Sequence, residues 1–422
     1  MSPTNIEIAA TGLFAVAVIH TFLTSRFRHF AGHFPEGSFG ENLLHLLGEV
    51  EIVFGFWAGV LVAAIALFQG RSGAIQYVEG LRFTEPLFVL AVMTVAATRP
   101  VLHLARKVVF GVAKMLPVGR EASVYFSCLA VGPLLGSLIT EPAAMTVTAL
   151  LMKDRFFGRE VSDRFKYITL AVLFVNVSIG GVLTPYAAPP VLMVATQWNW
   201  GLGFMLATFG WKAALATLLN ALLAATFLRS ELKDLSRQVH DETERSVPVA
   251  LVLVHLFFLT AIVVTAHHPA IFLGLFLFFL GIVSITQEFQ DALKIRESLL
   301  VAFFLSGLVV LGALQSWWLE PLIRRLDTLP LFLGTAALTA VTDNAALTYL
   351  GSQVENVSEV FKYALVAGAV AGGGLTVIAN APNPAGYSVL QDKFGPDGIR
   401  PGRLFVAALI PTFIAMSILW FG

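Results

Sequence analysis

The sequence predicts an all-α polytopic membrane protein, built as two inverted repeats of five transmembrane helices. Each repeat is predicted to carry a re-entrant helical hairpin and an unwound helix. The first observation is composition, since the 422 residues are 57% hydrophobic and 13% charged, with a mean hydropathy of +0.80. The second is a pattern, Thr-acid-x-Ala-Ala-aliphatic-Thr, that occurs at residues 140–146 and again at 342–348, inside apolar stretches. An acid is costly in lipid, so its repetition indicates a duplicated membrane unit.

The apolar stretches predict ten membrane spans, each near the roughly 20 residues that cross a bilayer. They lie at about 6–25, 42–68, 84–104, 166–196, 203–228, 248–267, 269–287, 298–317, 362–389 and 403–421. The segments 120–152 and 328–350 hold the two Thr-acid patterns, and Gly, Pro and polar residues interrupt them. We therefore expect hairpins that enter and leave on one side, because broken backbone at membrane depth must be surrounded by protein or a cavity. Residues 105–116 and 317–326 are predicted to be helices in the interface.

The basic residues are unevenly distributed if both hairpins are re-entrant. Most of the 27 Lys and Arg residues then lie on one side of the membrane. The positive-inside rule makes that side cytoplasmic and places both termini outside. If both hairpins crossed the membrane fully, this asymmetry would weaken.

The halves match beyond the Thr-acid pattern, which sets the predicted boundaries. Phe165-Lys166-Tyr167 recurs as Phe361-Lys362-Tyr363, at the start of the span after each hairpin. The N-terminal repeat is predicted at 1–228, a cytoplasmic linker at 229–247 and the C-terminal repeat at 248–422. Farther along, Gly and Pro residues predict an unwound helix in each half, with Thr184-Pro185 and Asn380 at equivalent breaks.

Two stretches carry a family resemblance. Residues 176–190 have the Asn-x-Gly-x-x-Thr-Pro character, and 303–315 form an aromatic and Gly-containing helix. On these, the chain resembles the ion transporter superfamily of arsenite exporters, sodium/proton antiporters and sodium/dicarboxylate symporters, and most closely the antiporter branch. The resemblance covers about residues 42–421. It implies hairpin tips that meet unwound helices at mid-membrane, alternating access and a homodimer.

The hairpin tips depart from the symporters of this group, which carry Ser-Asn-Thr there. Glu141 and Asp343 stand at the tips instead, which favours transport of a cation or proton. A low-dielectric environment favours the neutral form of a carboxyl group, so each acid could exchange a proton for a sodium ion. The hydroxyl groups of Thr140 and Thr342 and freed carbonyls could complete the oxygen shell of sodium. The alternative is an acid that caps a half-helix.

Further polar residues near the tips and breaks are candidates for ion or proton binding, or else for satisfying backbone groups that the prolines free. They are Asn344, Asn176, Thr184, Asn380 and Asn383. Possible charge partners are Arg99 and Lys212, both within predicted spans, and Glu49 and Glu51 in the second span. His45 stands one turn before Glu49, so a proton relay there is an alternative to a polar cluster at the cytoplasmic end.

The tripeptide Thr84-Glu85-Pro86 repeats the hairpin sequence Thr140-Glu141-Pro142, but Glu85 falls at the outer end of its span and is predicted to be a helix-start acid.

The remaining patterns narrow the function class. We find no zinc spacing, phosphate loop or catalytic triad, which disfavours an enzyme or a sensor scaffold and indicates no cofactor. The net charge of zero indicates no nucleic acid partner. The expected partners are membrane lipids and a second copy, the expected substrate is sodium, and the expected location is the bacterial inner membrane. The alternative transport function is export or cation-coupled symport of a small anion, held by half-helix N-termini with Arg99 or Lys212.

Overall fold

The computed structural model describes residues 3–235, 246–323, 325–395 and 398–422. Every regular element in these ranges is a helix. Most of the predicted linker 229–247 lies outside the described residues, as does Arg324 of the predicted interface helix 317–326.

The described residues up to 235 form twelve α-helices, some of them a turn or two long. They are α1 (Asn5–Ala31), α2 (Phe39–Leu47), α3 (Val50–Glu79), α4 (Thr84–Ala96), α5 (Arg99–Met115), α6 (Arg120–Ile139), α7 (Glu141–Met152), α8 (Asp163–Gly180), α9 (Pro189–Ala195), α10 (Leu202–Met205), α11 (Trp211–Phe227) and α12 (Arg229–Leu235). A π-helical turn at Lys153–Phe157 extends α7, and another at Leu206–Gly210 joins α10 to α11.

From residue 246 onward, the part of the chain that the structure describes forms nine α-helices. They are α13 (Val249–Val264), α14 (Pro269–Ser284), α15 (Ile295–Gly312), α16 (Ser316–Ile323), α17 (Thr328–Thr339), α18 (Asn344–Ser352), α19 (Glu359–Gly372), α20 (Asn383–Leu390) and α21 (Pro401–Phe421). Short 3-10 turns follow α8 at Gly181–Leu183 and precede α20 at Val377–Ala379.

Seven of the described helices or continuous helical stretches are long and apolar enough to cross a membrane, and there is an eighth if α4 and α5 form one bent span. Helices α13, α14 and α17 are apolar but shorter, and α13 and α14 have 16 residues each. At 1.5 Å per residue they fall short of the roughly 30 Å hydrocarbon core, so neither α13 nor α14 can span it without the turns that flank it.

Two predicted spans are broken in the structure. The predicted span at 84–104 is not one continuous helix, because α4 ends at Ala96 and α5 leaves at a bend of 68°. Thr98 has extended backbone there, and Pro100 stands in the first turn of α5, where a proline starts a helix readily. The predicted span at 42–68 is likewise not one continuous helix, because extended backbone at Glu49 separates α2 from α3.

The segment α6–α7 folds back on itself. The Arg155 side chain, just beyond α7, donates to both carboxylate oxygens of Glu121 in the first turn of α6, at 3.0 and 2.6 Å. Both side chains are buried. The two ends of the segment therefore lie together, and its middle, at Thr140, is the distal point.

The two halves of the chain interlock at the centre of the molecule. Helix α7 packs on α20, and α18 packs on α9, so the second helix of each Thr-acid segment contacts the opposite half. Between them, the Ser178 hydroxyl donates to the Val370 carbonyl at 2.8 Å. The backbone of Gly374 touches that of Val175 so closely that a Cβ at position 374 would collide with it. We call the region where α7 packs on α20 and α18 packs on α9 the crossing, and the site described below lies there.

Candidate functional site

The centre of the site is the break between α6 and α7. Thr140 separates the two helices with φ 74° and ψ 150°, a backbone conformation that β-branched residues rarely adopt. Such backbone costs of the order of 1–3 kcal/mol and persists only where surrounding structure enforces it. The Thr140 hydroxyl is buried and has no hydrogen-bond partner among the described residues. The break therefore presents a polar atom to the protein interior.

Glu141 is the first residue of α7 and is completely buried, with a side-chain exposure of 0%. Its Oε2 accepts a hydrogen bond from Asn380 Nδ2 at 2.8 Å, while Oε1 has no partner among the described residues. Its backbone N–H donates to the Ala187 carbonyl at 3.4 Å. A buried carboxyl group is costly when it is charged and half-satisfied, so this one requires a proton or a cation.

Gly181 makes room for that carboxyl group. A Cβ at this position would overlap Glu141 Oε1 and Cγ. A Cβ added to the preceding residue, Gly180, would lie 2.8 Å from the backbone of Pro133. The glycine pair at the end of α8 therefore lets the backbone touch both the Glu141 carboxylate and the middle of α6.

Asp343 stands at the corresponding break before α18 but is held differently. It is half-buried, and its Oδ1 accepts from the Ala345 N–H at 2.8 Å as the N-cap of α18. Its carboxylate also faces the backbone of Ala346 and Ala381, and interacts electrostatically with Glu141. Asp343 is thus committed to a helix end, whereas Glu141 is not. Thr342 is half-buried beside it.

Three asparagines complete the polar surface of the site. Asn380 is buried, and its Oδ1 is unpartnered among the described residues while Nδ2 binds Glu141. Asn383 donates to the carbonyls of Gly373 and Thr376 at 2.7 and 2.8 Å, and its Oδ1 is likewise unpartnered. Asn344 is buried with both amide atoms unpartnered, and a Cβ at Gly373 would lie 2.8 Å from its Nδ2.

The two breaks share a threonine that the sequence comparison did not pair. The Thr184 hydroxyl donates to the Ser137 carbonyl at 2.7 Å near the end of α6. The Thr376 hydroxyl makes the same contact with the Ala340 carbonyl at the end of α17, at 2.9 Å. Thr376, rather than Asn380, is therefore the counterpart of Thr184 in contact pattern. The only sequence feature that could have paired Thr376 with Thr184 is that each threonine follows shortly after a glycine pair or triplet.

Asn176 has a different environment from the other candidates. Its Nδ2 donates to the carbonyls of Leu129 and Thr217 at 2.7 and 3.0 Å, and its Oδ1 accepts from Asn220 at 3.0 Å. These bonds join α8 to α6 and α11. The side chain is therefore engaged in helix contacts, and its predicted role as an ion ligand stays untested.

The predicted charge partners lie apart from the crossing or at its edge. Arg99 is the first residue of α5, directly after the bend between α4 and α5, and its predicted role as a charge partner stays untested. Lys212 is half-buried in the first turn of α11 and donates to the Tyr363 hydroxyl at 2.9 Å. The Tyr363 hydroxyl in turn donates to the Leu419 carbonyl.

The predicted pairing of His45 and Glu49 on one helix face is wrong, because Gly48 ends α2 between them. His45 faces Glu41 instead, at 3.6 Å, and Glu49 binds Arg296. Glu51 is half-buried in the first turn of α3, where its charge interacts with that of Asp343.

The chemistry available at the crossing is that of oxygen ligands. Among the residues that the structure describes, no three His, Cys, Asp or Glu side chains gather into a metal site. A carboxylate oxygen, amide oxygens and a hydroxyl of the residues above are, however, buried and unpartnered. Such hard, mostly neutral oxygens suit a monovalent or other hard cation better than a transition metal.

Residues 5–422 match the model of the family described as "Putative Na+/H+ antiporter". The match covers almost the whole chain. No curated protein matches it.

Proposed function

The chain belongs to this antiporter family and is an integral membrane protein, and from that premise we propose that it exchanges sodium ions for protons at Glu141. One observation carries the proposal. Glu141 is fully buried at a helix break, with Oε2 bonded to Asn380 and Oε1 unpartnered among the described residues. A carboxyl group in that setting is stabilised by either a proton or a cation, and by one at a time.

The proposed sodium ligands are the oxygens that the crossing leaves unpartnered. Glu141 Oε1 supplies the charge, and the neutral ligands are buried oxygens that have no partner among the described residues, namely Thr140 Oγ1, Asn380 Oδ1, Asn344 Oδ1 and Asn383 Oδ1. When sodium leaves, a proton on Glu141 removes the cost of the bare carboxylate. Competition for one carboxyl group couples the two ions without any further machinery.

Asp343 has a separate role in this proposal. Its bond to the Ala345 N–H fixes the start of α18, and its charge adds to the negative potential at Glu141. We propose that Asp343 tunes the site and holds the second break in shape, and that Glu141 carries the exchanged ion.

The proposed architecture is a pair of inverted repeats whose hairpins, α6–α7 and α17–α18, are re-entrant. Three observations support it: the Glu121–Arg155 contact at the base of the first hairpin, the matching bonds of Thr184 and Thr376, and the exchanged packing of α7 on α20 and α18 on α9. Alternating access would move these elements together against α3, α4 and α15.

The proposed orientation has both termini outside, in the bacterial inner membrane, with the protein as a homodimer. Ion pairs join loops that this orientation assigns to the cytoplasm. Lys153 meets Asp392 at 3.0 Å and Asp163 meets Arg403 at 3.1 Å, and both contacts connect the first half of the chain to the second. These contacts support placing the four loops on one side of the membrane, and the excess of basic residues predicted for that side would make it cytoplasmic.

The experiment is sodium-driven proton flux with purified protein in vesicles. Glu141→Gln keeps the shape of the side chain and removes its charge, so we expect exchange to fall to the level of empty vesicles. Wild-type flux in this variant would refute the proposal. In that case, loss of small-anion transport in Arg99→Gln or Lys212→Gln would support the anion carrier instead.

A further inference from the structure

A large cavity opens beside the first unwound segment. Its volume is about 590 Å³, and it lies where the start of α4, the end of α9 and the end of α13 meet. Its polar lining includes Thr84, Glu85, Thr196, Asn199 and His267. In the proposed orientation these ends face the outside.

The lining of the cavity is mixed. Apolar side chains such as Phe88, Leu192 and Val263 form much of it, and Glu85 and Asn199 lie on the same walls. The part of the cavity beside Glu85 and Asn199 can hold water and ions, because these side chains offer a charge and hydrogen-bonding groups.

The inner wall of the cavity is the backbone that contacts Glu141. Pro185 and Tyr186 line the cavity, and the residues on either side of them reach the site. Thr184 donates to the Ser137 carbonyl beside the α6–α7 break, and the Ala187 carbonyl accepts from the Glu141 N–H. The segment 184–187 therefore contributes both to the lining of the cavity and to the contacts at the α6–α7 break.

Among the described residues that line this cavity, Glu85 alone has a carboxylate. It stands in the first turn of α4 and is half-buried, and its sequence Thr84-Glu85-Pro86 repeats that of the α7 start. Negative charge in a cleft with low-dielectric walls raises the local concentration of cations.

We propose that this cavity is the outer entrance for the sodium ion, in which Glu85 holds a hydrated cation before it reaches Glu141, with Tyr186 at the inner end. The inference rests on the proposed function and adds a second cation position to it. Glu85 acts on capture of the ion, whereas Glu141 acts on its exchange.

The first test measures sodium-dependent exchange in vesicles with Glu85→Gln. We expect the sodium concentration at half-maximal rate to rise about fivefold, with the maximal rate retained, because one focusing charge is lost. Glu85→Asp should keep the wild-type value. The matched control is Glu79→Gln, which removes an exposed acid at the end of α3 that does not line the cavity. Equal shifts in both variants would indicate a general surface-charge effect and overturn the proposal.

The second test locates the entrance. Cys128→Ala removes the single cysteine, and Thr196→Cys then places one exposed thiol on the cavity lining. A membrane-impermeant cationic thiol reagent should inhibit exchange when added outside, and high sodium should slow its reaction. Reaction from the inner side alone, or reaction without inhibition, would overturn the inference. Glu141→Gln assayed in the same vesicles separates this failure from that of the proposed function.

Discussion

Asn380→Ala tests the electrostatic coupling at the site most directly. The amide of Asn380 donates to Glu141 Oε2 at 2.8 Å, and this is the one hydrogen bond found for that carboxylate among the described residues. An N–H donor stabilises the charged carboxylate more than the neutral acid. Its removal should therefore strengthen proton binding relative to sodium binding.

The magnitude follows from the strength of a hydrogen bond to a charged group. Such a bond contributes about 1.5–3 kcal/mol. One pH unit corresponds to about 1.4 kcal/mol. The pH at which sodium-driven exchange is half-maximal should therefore rise by about one to two units in Asn380→Ala.

The assay is sodium-driven proton flux in vesicles over a series of pH values at fixed sodium. The matched control is Asn176→Ala, since Asn176 is also fully buried but bonds to backbone carbonyls and Asn220 rather than to a carboxylate. That variant should lower thermal stability and leave the pH profile in place. An unchanged profile in Asn380→Ala, or an equal shift in Asn176→Ala, would refute the coupling between Asn380 and Glu141.

Two further predictions address Asp343 and Gly181. Asp343→Asn keeps a side chain that can cap α18 and should retain measurable exchange. Asp343→Ala removes the cap and should lower the free energy of unfolding by about 0.5–2 kcal/mol, which melting curves in detergent would measure. Equal stability of the two variants would exclude the capping role. Gly181→Ala should abolish high-affinity sodium exchange, because overpacking costs about 1–3 kcal/mol and its Cβ overlaps the Glu141 carboxylate. Gly274→Ala, whose Cβ would meet no atom within 4 Å, is the control, and comparable sodium affinity in both variants would contradict the packing argument.

The sequence was informative where the chemistry is local. A polar Thr-acid pair followed by proline predicts a helix break at Glu141, and the structure has one there, at Thr140. Asp343 is likewise found at a helix start. The sequence also shows glycine pairs beside these breaks. They indicate close backbone contacts, because only glycine allows a backbone to approach as closely as Gly181 approaches Glu141.

The sequence was less informative where neighbouring elements decide. Hydropathy is continuous across Thr98, so the bend between α4 and α5 was missed, and with it the position of Arg99. The partner of Glu141 could not be predicted, because Asn380 is 239 residues away and reaches it only through the packing of α7 on α20. The equivalence of Thr184 and Thr376 was hidden because the two unwound segments differ in their proline positions.

The bond between Glu141 and Asn380 also constrains how the protein is made. At the roughly 5–20 residues per second of synthesis, Asn380 emerges about 10–50 s after Glu141. During that interval α6 and α7 exist without α20, and no second half is present to supply a donor. A charged, unpaired carboxylate would oppose membrane insertion of this segment by several kcal/mol. The N-terminal half is therefore expected to enter the bilayer with Glu141 protonated, so that the first proton the protein binds is acquired during its own biogenesis.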